Sequence, residues 1–444
     1  MLDEKLTSAA VIGAAGKMGS GISLLLLREI ARLEASTTGK VGSGAYTLTL
    51  IDPNTDGLPG LRTYLRSQMT RFAEKQINDL RTYYKDNPRL VSNEEIIEAF
   101  VQGAMDCVRF EGDLSQAKDA HLIFEAIVED LEIKTRVFNE LKQTAPEDAL
   151  FFTNTSSLPI GVLAEAADLK GRIIGYHFYN PPAVQKLLEI IPAEGSDKAF
   201  IELADELAKR LGKIVVYSKD VAGFIGNGHF LREINEALKE VSELESSHSR
   251  VEALCLVDQM TRDLLIRPMG IFQLFDYVGI DVLHRVMQIM TRYLDIAFHG
   301  DLIDHMVAAG RTGGQHPDGS QKDGFFQYKG HAIDKVYDVE KNAYVDLPGD
   351  LIGELPEGHL PWKTMGKEKN RDELLKTYLR NLFELNTPTA RLASSHLLKS
   401  RDIARELVSD GVARSIEDVN TVIMNGFYHL YGPDYEHLPQ EIHQ

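Results

Sequence analysis

Residues 7–27, TSAAVIGAAGKMGSGISLLLL, pass from a short apolar segment through a glycine-rich loop into a longer apolar stretch. Residues 7–12 have the length and composition of a buried strand, and ISLLLLREIARL, from Ile22, carries a helical pattern. Glycines at Gly13, Gly16 and Gly19 permit a tight turn and a close backbone approach, so that helix N–H groups can meet a pyrophosphate. Strand, glycine loop and helix in that order open a dinucleotide-binding α/β fold. A second strand, YTLTLID, ends at Asp52 after a polar, Gly-rich insertion, EASTTGKVGSGA. A carboxylate there would bind a ribose 2′-hydroxyl and repel a 2′-phosphate, which favours NAD over NADP. The alternative is an aspartate that only starts the turn DPNTDG.

At 444 residues the chain exceeds one ordinary core, so two or three domains are expected. A formal charge of −18 argues against general nucleic-acid or anionic-membrane binding, and an anionic ligand would need a local basic patch. The two cysteines, Cys107 and Cys255, are far apart and in no metal-like spacing, which supports neither a disulfide framework nor a zinc site. No stretch reaches the length of an unbroken apolar membrane span. A cytoplasmic enzyme is the simplest expectation.

From about residue 60 to 105 the pattern is helical and charged, with Arg62, Arg66, Arg71, Lys75 and Arg81 among its polar positions; this predicts a projecting helical pair rather than a sheet crossover. AHLIFEAIV, ALFFTNTS, RIIGYHF and KIVVYS have the composition of core strands, and the segments IKTRVFNELKQTA and FIELADELAKRLG that of helices. After residue 220 strands nearly vanish, apart from a possible hairpin in FFQYKGHAIDKVYDV. The helical region carries a candidate repeat: Val257–Gly270 and Val419–Gly432 each place valine thirteen residues before glycine, after helices of similar texture. Two such copies would let the halves pack on each other as the subunits of a homodimer do. The alternative is two unrelated helical hairpins that share a turn.

In GYHFYNPPAVQKLLEIIP, residues 175–192, His177 precedes Glu189 by twelve residues across a turn at Pro181 and Pro182. A histidine ending one strand and a carboxylate on the next can meet side by side. The carboxylate would accept one ring N–H and favour the imidazolium that forms when the other nitrogen takes a proton, which makes the pair a general base with its orienting partner. A serine cluster after a strand, as in Thr153 to Ser157, is otherwise a helix cap, and Asn227 is otherwise a residue opening a helix.

Taken in order, EAIVEDLEIK, NTSSLPI, HFYNP with KLLEI, SKDVAGFIGN and DQMTRDLLIRPMGIFQLFDYVGID make the chain resemble the L-3-hydroxyacyl-CoA dehydrogenases. The resemblance covers residues 8 to about 330 and, more weakly, the repeat to 444. It implies a Rossmann-type NAD-binding domain over 1–218 with a helical insertion at about 60–105, then an all-α region of two repeated domains, 219–330 and 331–444. It implies His177 as catalytic base, Glu189 as its partner, and Ser156 and Asn227 as residues holding the reacting oxygen. Gly13, Gly16, Met18, Gly19, Asp52, Glu129, Lys134 and Asn180 match the cofactor side. An acyl-CoA substrate is implied, with its phosphates over the helical insertion, and either a homodimer or a pseudo-dimeric monomer built through the helical region. The loop departs from the family's G-x-G-x-M-G by one extra residue before Gly16, and Gly228 and His229 stand where arginine commonly follows the asparagine. A dehydrogenase of a free 3-hydroxy acid and a non-catalytic binding protein on the same scaffold are the alternatives.

Overall fold

The computed structural model describes residues 1–316, 319–330 and 332–439. The chain divides into two compact units, Met1–Val221 and Ala222–Gln444. No helix among the described residues is long and apolar enough to cross a membrane.

The first unit contains strands β1 (Ser8–Ile12), β2 (Thr47–Ile51), β3 (Val108–Glu111), β4 (Leu122–Glu125), β5 (Leu150–Thr153), β6 (Ile173–Phe178), β7 (Leu187–Pro192) and β8 (Ile214–Tyr217). They form one sheet in the order β3-β2-β1-β4-β5-β6-β7-β8. The first six run parallel, β7 is antiparallel to β6, and β8 is parallel to β7. The central strands LIFE, LFFT and IIGYHF are buried almost throughout, as strands of a parallel sheet covered on both faces must be. Phe124 and Phe152 stack across β4 and β5 at 4.5 Å, with Tyr176 of β6 edge-on to Phe152 at 5.0 Å.

Two expectations are corrected. The helix after the glycine loop runs Lys17–Thr38, so EASTT is its last turn and not part of the insertion. Glu34 accounts for this: fully buried, it accepts hydrogen bonds from Gly42 N (2.8 Å) and Ser43 N (3.0 Å) and so folds the remaining loop back onto the helix. The charged segment is also not a projecting pair. Three helices, Leu58–Lys75, Ile77–Tyr83 and Asn93–Asp106, connect β2 to its parallel neighbour β3 and are therefore the crossover itself. Their inward stripe, Leu61, Leu65, Met69 and Ala73 at i, i+4 spacing, is buried in one core with Phe100 and with Leu24 and Leu27 of the Lys17–Thr38 helix. The charges lie on the opposite face, where Arg62 stacks on Phe110 at 4.4 Å and Arg66 pairs with Glu98 at 2.6 Å.

The second unit is helical but includes a three-stranded antiparallel sheet, β9 (Phe326–Lys329), β10 (Ala332–Asp338) and β11 (Ala343–Asp346). The expected hairpin thus gains a third strand, and its turn residue His331 lies outside the described residues. The two candidate repeat segments share an unusual geometry. Asp258 accepts hydrogen bonds from Phe272 N (3.0 Å) and Gln273 N (2.9 Å), while Asn420 accepts one from Asp434 N (3.2 Å). In both, a glycine follows twelve residues after the acceptor, and a Cβ on it would fall 2.2 Å from the Asp258 carboxyl carbon or 2.1 Å from Asn420 Oδ1. In both, a non-glycine residue with positive φ, Ile266 or Tyr428, stands eight residues after the acceptor.

A buried ionic cluster joins the Gly226–Leu244 and Pro388–Ser409 helices, one from each half of this unit. His396 Nδ1 lies 2.9 Å from Glu240 Oε2 and its Nε2 3.5 Å from Glu233 Oε1, while Arg267 binds Glu233 at 2.7 Å. Burial works against charge on His396, but Glu240 and Glu233 outweigh it and raise its pKa to about 9. His229 and His429 are lowered, first by burial, and so stay neutral to lower pH than an ordinary histidine. A histidine raised in the folded state contributes stability that is complete below an unfolded pKa of about 6.5 and lost as pH rises through the folded value. Stability in urea is therefore expected to fall between about pH 6.5 and 9, by on the order of 1–3 kcal/mol. His396→Gln should flatten most of that slope, leaving the part due to Asp276, which burial pushes up to about 8. A variant profile parallel to the parent's would remove His396 as its source.

Candidate active site

The glycine loop is tied to the end of β2 by Gly13 N and Ala14 N, which both donate to Ile51 O at 2.9 and 3.1 Å. Gly13 has φ +78°, and Gly16 N closes the turn on Gly13 O at 3.2 Å, which accommodates the extra residue. A Cβ on Gly19 would stand 2.0 Å from Gly13 O, so only glycine lets the Lys17–Thr38 helix begin this close to the strand. Met18 packs against the core from the first turn. Asp52 serves both roles considered for it: Oδ1 accepts from Asn54 N and closes the turn, while Oδ2 accepts from Ala15 N and braces the loop, both at 2.9 Å. The loop, the helix start and the carboxylate together fit the diphosphate and ribose of NAD. Asn180, at the cis Asn180–Pro181 bond, adds a buried Oδ1 that has no hydrogen-bond partner, an acceptor suited to a polar ligand group.

His177 and Glu189 are directly opposite in the antiparallel β6–β7 ladder. His177 Nδ1 is 3.1 Å from Glu189 Oε1, with Glu189 fully buried and His177 8% exposed. The turn between the strands is fastened by Lys213 at the start of β8, whose ammonium donates to Pro182 O and Gln185 O at 2.5 and 2.6 Å. Burial, helped by Arg28, brings the Lys213 pKa down to about 8.

Ser156 sits in a loop gathered around one carboxylate. Glu129 Oε1 accepts from Thr155 Oγ1 (2.6 Å), Ser156 N (2.9 Å), Ser157 N (3.0 Å) and Ser157 Oγ (2.8 Å). Behind it Lys134, 1% exposed, lies 3.5 Å from Glu129 and 2.6 Å from Glu125, itself fully buried at the end of β4. Burial opposes both charges, yet Lys134 with the hydroxyl and amide donors holds Glu129 below the usual carboxylate range, and the two glutamates hold Lys134 above its own. Thr153 Oγ1 completes Glu125 at 2.6 Å. Asn154 Oδ1 accepts from Phe178 N at 2.8 Å, which fastens the serine loop to the strand end carrying His177.

The structure thus brings together His177 with Glu189, Ser156 with Glu129 and Lys134, and Asp52 with the glycine loop. Asn227 lies on the second unit, in the first turn of the Gly226–Leu244 helix. His229, two residues on, is a core residue with Nε2 3.0 Å from Ser400 O. Sequence reasoning missed Glu125, Asn154 and Tyr179. A glutamate ending the apolar run LIFE was the available signal for Glu125, since a carboxylate at the end of a buried strand needs a buried partner.

Removing the buried cation between the fully buried Glu125 and the partly exposed Glu129 is costly. Lys134→Met is expected to lower stability in urea by about 3–5 kcal/mol, whereas adding Glu125→Gln to it should recover part of the loss. Equal stability of the single and double variants would show that Glu125 carries no charge requiring Lys134.

Family models for 3-hydroxyacyl-CoA dehydrogenase match the chain in two places: the NAD binding domain over residues 43–221 and the C-terminal domain over 223–323. The first match begins beyond the glycine loop. A hydroxyacyl-coenzyme A dehydrogenase, mitochondrial, of Mus musculus is 30% identical over 272 residues, 61% of this chain and 76% of its own length. The crystal structure of M. tuberculosis FadB2 superposes with a TM-score of 0.54 at 28% identity, covering 73% of this chain and 99% of that one. The 3-hydroxybutyryl-CoA dehydrogenase of Escherichia coli K12, at 20% identity, shares the fold with a TM-score of 0.61 over 97% of this chain and 90% of its own. With both family domains in order on the chain, it belongs to the 3-hydroxyacyl-CoA dehydrogenase family of NAD-dependent oxidoreductases.

Proposed function

We propose that the protein reversibly oxidises a 3-hydroxyacyl-CoA to the 3-ketoacyl-CoA, with His177 as general base and Glu189 as its partner. The observation that carries this reading is the 3.1 Å contact between His177 Nδ1 and a fully buried Glu189 in a sheet that also bears the glycine loop. Bound at the glycine loop, NAD would supply the hydride acceptor for the secondary alcohol. His177 accepts the hydroxyl proton on its other ring nitrogen, and Glu189 stabilises the imidazolium that results. In the reverse direction the imidazolium protonates the developing alkoxide. Ser156, on its tightly held loop, donates to that oxygen, and Asn227 is assigned the same role by the family resemblance.

Gly13, Gly16 and Gly19 hold the diphosphate, with Met18 packed beneath them, and Asp52 holds the ribose. Asn180 takes a polar group of the ligand. Glu129 and Lys134 serve the cofactor side by fixing the serine loop beside it. The exposed Arg71 and Lys75 on the Leu58–Lys75 helix supply cations for the CoA phosphates, since Arg62 and Arg66 are engaged with Phe110 and Glu98. The matching geometry around Asp258 and Asn420 supports dividing the helical part into two domains, 219–330 and 331–444, that pack as a pseudo-dimer.

The test is NADH oxidation with acetoacetyl-CoA, run beside free acetoacetate. Turnover is expected with the thioester, and His177→Gln should reduce kcat by about 10²–10⁴ while NADH binding by calorimetry survives. Full activity in that variant would remove His177 from the chemistry, and comparable turnover of the free acid would overturn the CoA assignment.

A further inference from the structure

The Glu189 oxygen that faces His177 has a second donor. Tyr179, one residue beyond β6, points its hydroxyl at Glu189 Oε1 at 2.7 Å, while His177 Nδ1 reaches the same atom at 3.1 Å. The tyrosine ring lies against the imidazole with centroids 4.9 Å apart and planes at 44°. All three side chains are buried, Glu189 completely.

We propose that Tyr179 is a positioning residue of the proton-transfer site, its hydroxyl withdrawing charge from the shared Glu189 oxygen and so setting how strongly the carboxylate draws a proton onto His177. This rests on the assignment of His177 as base. A hydrogen bond donated to an ionised carboxylate favours the ionised form and lowers its remaining basicity. Tyr179 is the shorter of the two contacts and holds the Glu189 oxygen in place. The oxygen that Glu189 shares with the tyrosine then pulls less on the imidazole than it would if it faced His177 alone. Burial and the neighbouring Glu189 push the Tyr179 pKa well above its ordinary value, so the hydroxyl remains a donor across the working range.

Nearby charged groups in the same sheet and on the serine loop are engaged with other partners. Beside Glu189, β8 places the apolar Val216. Lys213, over the Phe178 ring at 5.5 Å, directs its ammonium to the carbonyls of Pro182 and Gln185. On the serine loop, joined through Asn154, Glu125, Glu129 and Lys134 pair among themselves.

The measurement is an NMR titration of the His177 ring proton in the parent and in Tyr179→Phe, with the resonance assigned by its loss in His177→Gln. Tyr179→Phe keeps the ring contact and removes only the donor. The His177 midpoint is expected to rise by roughly half a unit or more. The acidic limb of kcat/KM for 3-hydroxybutyryl-CoA oxidation should move up by the same amount, with NADH affinity unchanged. Tyr179→Met, which also lacks a donor, should give the same direction of shift. In a Glu189→Gln background the substitution should have no further effect. A midpoint unchanged in Tyr179→Phe, even with a lower melting temperature, would mark the contact as structural only and overturn the proposal. So would a shift that persists without Glu189. The titration needs no turnover, so it decides this point even if the thioester fails as substrate.

Discussion

Because β7 turns back antiparallel against β6, the one antiparallel pairing in the eight-stranded sheet, His177 and Glu189 face each other across one rung of the ladder. Side chains alternate faces along a strand, so a slip of one residue in this register would send one of the pair to the opposite face. The rest of the site is organised around keeping that rung in place. Lys213 clamps the turn at its open end, Asn154 fastens the strand end to the serine loop, and Ile190 and Ile191 bury the strand beyond the glutamate. A histidine–carboxylate pair built this way is positioned by backbone hydrogen bonds and not by the packing of a flexible side chain.

Two groups of charged side chains lie in mutual contact within the interior. Glu125, Lys134 and Glu129 hold the serine loop, while His396, Glu233, Glu240 and Arg267 join the two halves of the helical unit. Such clusters add little net stability over apolar packing, because desolvation consumes much of the attraction. They do make alternatives expensive, since any arrangement that separates the partners strands a charge in a dry interior. In both places the cluster sits where two segments must meet in one register: a loop on a strand end, and one helix on another.

The parts of the fold legible in the sequence were those whose residues answer to one local rule. The glycine loop follows from backbone sterics, and LIFE, LFFT and IIGYHF are apolar because both of their faces are covered. Strand β3, VRFE, escaped notice because it is an edge strand whose Arg109 is exposed, leaving too short an apolar signal. The helices from 58 to 106 looked detached because their charges dominate the composition, while the stripe Leu61, Leu65, Met69 and Ala73 that commits them to the core is narrow. His177 and Glu189 were legible as a pair because the turn between two strands fixes their register. Glu125 and Tyr179 were not, since their significance depends on which atom each carboxylate shares, and that is set by tertiary approach.

The two hydrogen bonds that Asp52 accepts from the backbone bear on how cofactor preference can evolve or be redesigned in this chain. Discrimination between the two nicotinamide dinucleotides is commonly assigned to such a carboxylate as a matter of charge alone. Under the role proposed for Asp52 at the ribose, exchanging it for a neutral or basic residue would slacken the glycine loop as it admitted an extra phosphate, because the same side chain braces Ala15 and the turn at Asn54. A change of coenzyme would therefore require a compensating acceptor for two main-chain amides, and selectivity and loop rigidity are inherited together.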